Sequence, residues 1–457
     1  MNTETIKFYR SVKQALDQVG PGMCLAKWYQ TTLHLENGHN HSCHHPRTHQ
    51  TPLDELAANP DALHNTKHKQ RNRELMIKGK RPDECRYCWN IEDTVTNQDV
   101  FADRVLKSTF EIQSDPDILD KTIGLGFEAR PLPSHVEVSF STTCNFACSY
   151  CSADVSSSWM KELLEHGSYP TEYPLITLKQ IERDGKMPIP DKEHNPYIEA
   201  FWKWWPELYP ALKVFRITGG EPLLSAHTFR VLDYIIANPN PEIQLAINSN
   251  MCVPDKLIDR FISRIETIVS NNLVKHFTLY TSCEAHGSKA EYIRHGLDYN
   301  RWFENSKRFL STVPYSHISL MATYNLMSVT SYVPFLKDIT KLKKEFPDRL
   351  KVDTVYMANP KCLTLDLLPQ EFMLNLNQTL RYVKTMHLKG LYNDWELHKI
   401  ERLQDYFQSR LDSPLADLAM FRRDFKAFVD EHDRRRNTSF LSSFPEMQEF
   451  YNLCAQS

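Results

Sequence analysis

The sequence predicts an α/β protein: an open, partial barrel of six βα units, preceded by a cysteine-rich segment and followed by a helical extension. Three observations carry this expectation. From about residue 131, short β-branched runs alternate with helical stretches, the pattern of strands joined by crossover helices. Polar residues recur just past the C-terminal end of each run, where βα-barrel enzymes place their chemistry. Ahead of residue 131 the chain has few alternating apolar runs, and instead many turn formers, histidines and four cysteines. The expected domains are therefore 1–130, 131–370 and 371–457.

Composition narrows the class. A chain of 457 residues is too long for one small core. Its hydrophobic content of 41% and charge of 24% are ordinary for a globular protein. The formal net charge of −3 excludes a dominant basic surface, so nothing global demands nucleic acid. No run of 18 or more apolar residues occurs, and Met1 to Tyr9 is polar rather than signal-like. The expectation is a cytoplasmic protein that does not engage a membrane. Eleven cysteines in that compartment point to metal or redox chemistry before disulfides.

In the first segment, Cys24 and Cys43 stand alone, while Cys85-Arg86-Tyr87-Cys88 forms a C-x-x-C pair. A helix-like pattern from roughly Asp54 to Gly79 separates the two halves of this set. The turn Arg81-Pro82 leads into a helix near Trp89 to Val95. Four thiolates brought together this way would close a coordination shell. His39, His41, His44, His45 and His49 crowd around Cys43 as a solvated loop in which one can act as a ligand. The run Lys67, Lys69, Arg71, Arg73, Lys78, Lys80 and Arg81 reads first as a solvated helix face and second as a phosphate contact.

The barrel segment opens with the strand Val136 to Phe140 and then Cys144-Asn145-Phe146-Ala147-Cys148-Ser149-Tyr150-Cys151. Thiolates separated by three residues and then two can converge on one metal centre. They supply only three ligands, which leaves an iron of a four-iron cluster open. A helix from Tyr197 to Tyr209 follows, with Trp202 and Trp205 on its core face and Trp204 off it. The strand Val214 to Thr218 ends in Gly219-Gly220-Glu221-Pro222, where two glycines let the backbone approach a ligand and a carboxylate can receive an ammonium group. Further strands are Ile243 to Ile247, Phe277 to Tyr280, Ile318 to Thr323 and Lys351 to Tyr356. Right-handed crossovers curl six such units into a partial barrel. Helices from Met373 to Met386 and Phe421 to Val429 follow, and Asp433 to Asn437 is a short basic turn that closes onto the core.

The triple cysteine motif, with an aromatic before its last cysteine, resembles that of the radical SAM superfamily, and Gly219-Gly220-Glu221 one βα unit later resembles its GGE motif. That resemblance implies a [4Fe–4S] cluster on Cys144, Cys148 and Cys151, whose open iron chelates S-adenosylmethionine. It also implies reductive cleavage of that molecule to a 5′-deoxyadenosyl radical, which takes hydrogen from a substrate. Gly219, Gly220 and Glu221 would hold the amino group, Tyr150 would pack near the adenine, and Ser249, Ser282 and Arg294 are candidates for the ligand's carboxylate. Gly22-Met23-Cys24, Glu36-Asn37-Gly38 before Cys43, and Lys80 to Cys88 resemble the twitch domain, the half-length relative of the SPASM domain. Most twitch domains follow the barrel, whereas this segment precedes it. The resemblance implies an auxiliary [4Fe–4S] cluster on Cys24, Cys43, Cys85 and Cys88, with zinc as the alternative. The partners implied are a reductant such as a flavodoxin or ferredoxin and a peptide or protein substrate. A nucleic acid or nucleotide-linked substrate is the second reading, and a non-catalytic metal-binding adaptor the third.

Overall fold

The computed structural model describes residues 3–94 and 99–457. It is a mixed α/β fold with a parallel sheet and many helices. The chain forms two compact units. Met1–Ser141, Pro188–Ile217 and Glu242–Gln244 make the first, and Thr142–Met187, Thr218–Pro241 and Leu245–Ser457 the second.

The strands in chain order are β1 (Gln30–His34), β2 (His39–His41), β3 (His49–Gln50), β4 (His135–Ser139), β5 (Ala147–Cys148) and β6 (Val214–Thr218). They are followed by β7 (Asn240–Asn248), β8 (Val274–Ser282), β9 (Arg294–His295), β10 (His317–Tyr324) and β11 (Leu350–Tyr356). All six strands expected of the barrel segment are present, as β4, β6, β7, β8, β10 and β11.

In the first unit the strand order is β6-β4-β1-β2-β3. β1 runs parallel to β4, with Thr32 opposite Glu137, and antiparallel to β2. The sequence did not announce β1. Gln30, Thr31 and Thr32 are buried polar residues, so the strand lacks the apolar alternation that marks its neighbours. Val12, Leu16, Met23, Leu25, Trp28 and Met76 build the core of this unit. Asn195 caps the helix Pro196–Leu208 by accepting from the amides of Tyr197 and Ile198. That helix buries Trp204 together with Trp205, while Trp202 is half-buried against Phe140, so the core face is rotated from the expected one.

The expected helix over Asp54 to Gly79 is broken into Leu53–Ala58, a 3-10 turn at Pro60–Leu63 and Lys67–Ile77, with Pro60 between them. The helix at the C-x-x-C pair spans Arg86–Thr94; Val95 lies outside the described residues, as do Met1 and Asn2 of the polar N-terminal stretch.

In the second unit the order is β11-β10-β8-β7, with β8, β10 and β11 parallel. The helix Asp255–Ser270, between β7 and β8 in the chain, packs against β8. Ile258, Phe261, Ile262, Ile265 and Ile268 recur at three- and four-residue spacing and are buried, with Phe261 packed against Phe277 of β8 and Phe309. The C-terminal helices are Met373–Leu388, Asp394–Asp412 and Leu418–Arg436. The second begins with a capping box in which Asn393 and Glu396 bond each other's backbone. The basic turn expected at Arg434–Arg436 is the last turn of the third helix, where cations suit the helix C-terminus. Among the described residues, no helix is long and apolar enough to cross a membrane.

Candidate metal and cofactor sites

Cys144, Cys148 and Cys151 lie in the second unit on a loop whose backbone is held from several sides. Ser158 Oγ donates to the carbonyl of Cys144 at 2.6 Å, Arg436 Nη1 to Ala147 at 2.6 Å and Trp159 Nε1 to Cys148 at 2.8 Å. β5, inside the loop, pairs antiparallel with β9, so that Cys148 faces Arg294, and the amide of Ser149 donates to the carbonyl of Ile293 at 2.7 Å. Gly296 must be glycine: its φ is +103°, and a Cβ there would stand 2.8 Å from the Asn145 carbonyl oxygen.

The Gly219–Glu221 turn comes against the same loop. The amide of Glu221 donates to the Thr143 carbonyl at 2.8 Å. A Cβ on Gly220 would lie 2.4 Å from Thr142 O and 2.5 Å from Thr143 O. Gly220 therefore lets the cysteine loop approach closer than any side chain would allow. Glu221 is buried and accepts from Ser249 Oγ at 2.9 Å, from the Asn250 amide at 2.6 Å and from the Leu223 amide at 3.0 Å. Burial pushes its carboxyl up to about 7, against the pull of those donors.

Ser249 is thus brought to Glu221, but Ser282 is not: it ends β8 opposite Met321 of β10. The residue that reaches the loop from there is Glu284, which the sequence reading passed over. Glu284 is fully buried and binds Arg294, with Nη2 at 2.7 Å and Nε at 3.1 Å, while Tyr150 Oη donates to it at 3.1 Å. Burial pushes the Glu284 carboxyl up, and the Arg294 guanidinium and the Tyr150 hydroxyl pull part of that rise back. Arg294 Nη1 donates to Cys148 Sγ at 3.7 Å. Tyr150, Cys151, Trp159, Tyr173 and Asn359 line a cavity of about 460 Å³, within the size range of small-molecule sites.

The second cysteine set lies in the first unit. Cys24, Cys43, Cys85 and Cys88 line one small cavity together with Lys27 and His45. Cys24 precedes the short helix Ala26–Tyr29, Cys43 follows β2, and the C-x-x-C pair straddles the start of the helix Arg86–Thr94. Gly22 lets the first of these turns approach: a Cβ there would meet the Lys80 carbonyl oxygen at 2.0 Å. Lys27 is buried and paired with Glu84, which also accepts from His68 at 2.7 Å. Burial works against the Lys27 charge, but Cys85 and Glu84 overcome it and hold the ammonium charged.

The histidines do not form one solvated loop. His39 and His41 are buried in β2, His49 bonds Thr66, and His45, the one at the cysteines, is bonded to Asp103 at 2.6 Å and stacked on Tyr87. Nor is the basic run a solvated face throughout. Lys69 and Arg73 turn inward, Lys69 to Thr31 and His64, Arg73 to Asn65 and two backbone carbonyls.

All eleven cysteines are free thiols. Burial pushes Cys24, Cys88, Cys144 and Cys151 up to about 12, so a metal must displace their protons to bind. Among the described residues, no three His, Cys, Asp or Glu groups are gathered as they would be around an ion. The donor chemistry of both sets fits iron–sulfur: three thiols on a braced loop in one, four thiols lining one cavity with a buried lysine in the other. Four thiols also suit zinc.

No family model matches the chain, and none of the curated proteins does. Among solved structures it is similar to Streptococcus suis SuiB, with a TM-score of 0.31 and 14% identity over 60% of this chain and 50% of that one. The same protein bound to S-adenosylmethionine gives 0.32 and 15%, over 66% and 53%. Bound to precursor peptide SuiA it gives 0.31 and 14%, over 72% and 62%. The chain thus spans less than two thirds of the length of each, and at such TM-scores the likeness bears on neither chemistry nor substrate.

Proposed function

We propose that this chain is a radical SAM enzyme with a second, N-terminal iron–sulfur cluster. The observation that carries the reading is the meeting of two motifs. The Cys144–Cys151 loop and the Gly219–Glu221 turn are 75 residues apart in the chain (144 against 219), and the Glu221 amide bonds the Thr143 carbonyl. When bound, the cluster and S-adenosylmethionine supply an electron and a 5′-deoxyadenosyl radical that takes hydrogen from the substrate. Cys144, Cys148 and Cys151 would hold that cluster, and Gly219, Gly220 and Glu221 the amino group of its ligand. Ser249 orients Glu221, Tyr150 lines the cavity, and the loop's bonded carbonyls keep the thiols in place. Cys24, Cys43, Cys85 and Cys88 would hold the auxiliary cluster, with Lys27 balancing its charge. The division into a cluster domain, a partial barrel and a helical extension belongs to the same proposal.

The substrate class we infer is a peptide or protein side chain, with a flavodoxin or ferredoxin as reductant. Of the basic stretches that would favour nucleic acid, Lys69 and Arg73 are buried, and Arg435 and Arg436 are turned onto Glu162 and Glu431. The test is an anaerobic count of iron, sulfide and zinc with a 5′-deoxyadenosine assay under strong reductant. About eight irons per chain and product dependent on Cys148 support the proposal. About four irons with one zinc keep the radical chemistry and make the N-terminal set structural. No iron after reconstitution removes the enzyme reading.

A further inference from the structure

The cysteine loop carries one contact that the motif does not require: a guanidinium aimed at a ligand sulfur. Arg294 lies opposite Cys148 in the β5–β9 ladder, so its backbone position is fixed relative to the thiol. Its side chain is fixed as well. Nε and Nη2 are taken by Glu284, Nη1 points at Cys148 Sγ, and the guanidinium carbon sits 5.4 Å from the centre of the Tyr150 ring. With 6% of its surface exposed, Arg294 has little access to anything else. A ligand carboxylate would have to displace Glu284 or stand beside it, and two carboxylates on one buried guanidinium repel.

We propose that Arg294, clamped by Glu284, is a positioning residue that donates to the Cys148 thiolate and sets the reduction potential of the cluster held there, rather than receiving the carboxylate of a ligand. This rests on the reading of Cys144, Cys148 and Cys151 as cluster ligands. The physical ground is charge. Reduction adds an electron to a cluster with thiolate ligands, and a donor to one sulfur stabilises the more negative state, which raises the potential. Glu284 offsets part of that effect, so the pair fixes an intermediate value. A second cation holds the loop backbone: Arg436 Nη1 bonds the Ala147 carbonyl, and its charge is balanced by Glu162 at 2.9 Å.

The test is an anaerobic redox titration of the reconstituted full-length chain. It follows the electron paramagnetic resonance signal that S-adenosylmethionine perturbs, in wild type, Glu284→Gln, Arg294→Lys and the double variant Arg294→Gln with Glu284→Gln. Glu284→Gln leaves the cation uncompensated and moves the potential upward. The double variant removes both charges and falls below Glu284→Gln, while Arg294→Lys stays near wild type. A full complement of iron with one common potential in all four proteins overturns the proposal and leaves the cluster reading standing. Loss of the cluster in Arg294→Lys also overturns it, because the residue then acts through packing alone. Wild type that takes up no iron overturns both.

Discussion

Ser249 Oγ donates a 2.9 Å hydrogen bond to Glu221 Oε1, tying the turn after β6 to the turn after β7. The same hydroxyl accepts from the Met251 amide at 3.0 Å, and Glu221 takes the Asn250 amide on its other oxygen. One buried carboxylate thus organises both turns beside the cysteine loop. Ser249→Ala removes a donor and leaves the Met251 amide without this acceptor. The expected loss of stability is about 1–2 kcal/mol, read by denaturant unfolding of the metal-free chain. On the proposed reading, affinity for S-adenosylmethionine falls in parallel, because Glu221, already near 7, is pushed further toward its neutral form.

Gly220→Ala tests the approach of the two motifs. The added methyl would sit 2.4 Å from one backbone carbonyl oxygen and 2.5 Å from the next, and neither is the end of a flexible side chain. The cysteine loop must therefore shift. On the proposed reading, the variant takes up less iron at Cys144, Cys148 and Cys151 on reconstitution, while uptake at the N-terminal set is unchanged. Iron counts against a Cys148→Ala control decide it. An unchanged count would mean that the loop tolerates displacement.

Much of this arrangement was legible in the sequence, and what was missed has a common cause. Strands of the second segment could be read where their buried residues alternate with the period of the element, as in Ile318, Leu320 and Ala322 of β10. β1 could not, since its buried positions are glutamine and threonine, which find partners only in the folded chain: Gln30 at Glu111, Thr31 at Lys69. The same holds at the site. Arg294 was visible as a cation after the fourth expected strand, but its partner was not, because only the fold brings the Glu284 carboxylate against it. Lys69 and Arg73 looked like surface charge because sequence spacing alone does not show which face of a polar helix is covered.

Glu111 offers a prediction that involves no cysteine. It is 4% exposed, accepts from Ser134 Oγ at 2.8 Å, and burial pushes its carboxyl from 4.5 up to about 7. A carboxyl raised in the folded state binds its proton more tightly there than in the unfolded chain. Stability from this group is therefore full below about pH 4.5 and is lost as pH rises through 7. Between those limits the wild type should lose roughly 2–3 kcal/mol from this residue. Glu111→Gln keeps a neutral acceptor and should flatten that slope, making the variant the more stable protein at pH 8. Denaturant unfolding of both proteins at pH 5, 6.5 and 8 measures it, and parallel curves would exclude Glu111 as the source.

Lys27 carries the last prediction, at the N-terminal cysteines. The residue is 2% exposed, and its ammonium group is bound to Glu84 and close enough to Cys43 and Cys85 for them to raise its pKa. Lys27→Met keeps most of the volume and removes the cation. Glu84 then depends on His68 alone, and a carboxylate held down to about 2 by two partners rises toward its ordinary value. Breaking one side of such a buried pair costs about 3–5 kcal/mol in the metal-free chain, seen as a lower denaturation midpoint. Any anionic thiolate centre at Cys24, Cys43, Cys85 and Cys88 should also become harder to load, since a buried negative cluster loses its nearest positive charge. The measurement is metal content across a reconstitution series. We expect Lys27→Met to need more iron and sulfide than wild type to fill this set, while the Cys144 set fills normally. Equal loading of both sets would confine Lys27 to pairing with Glu84.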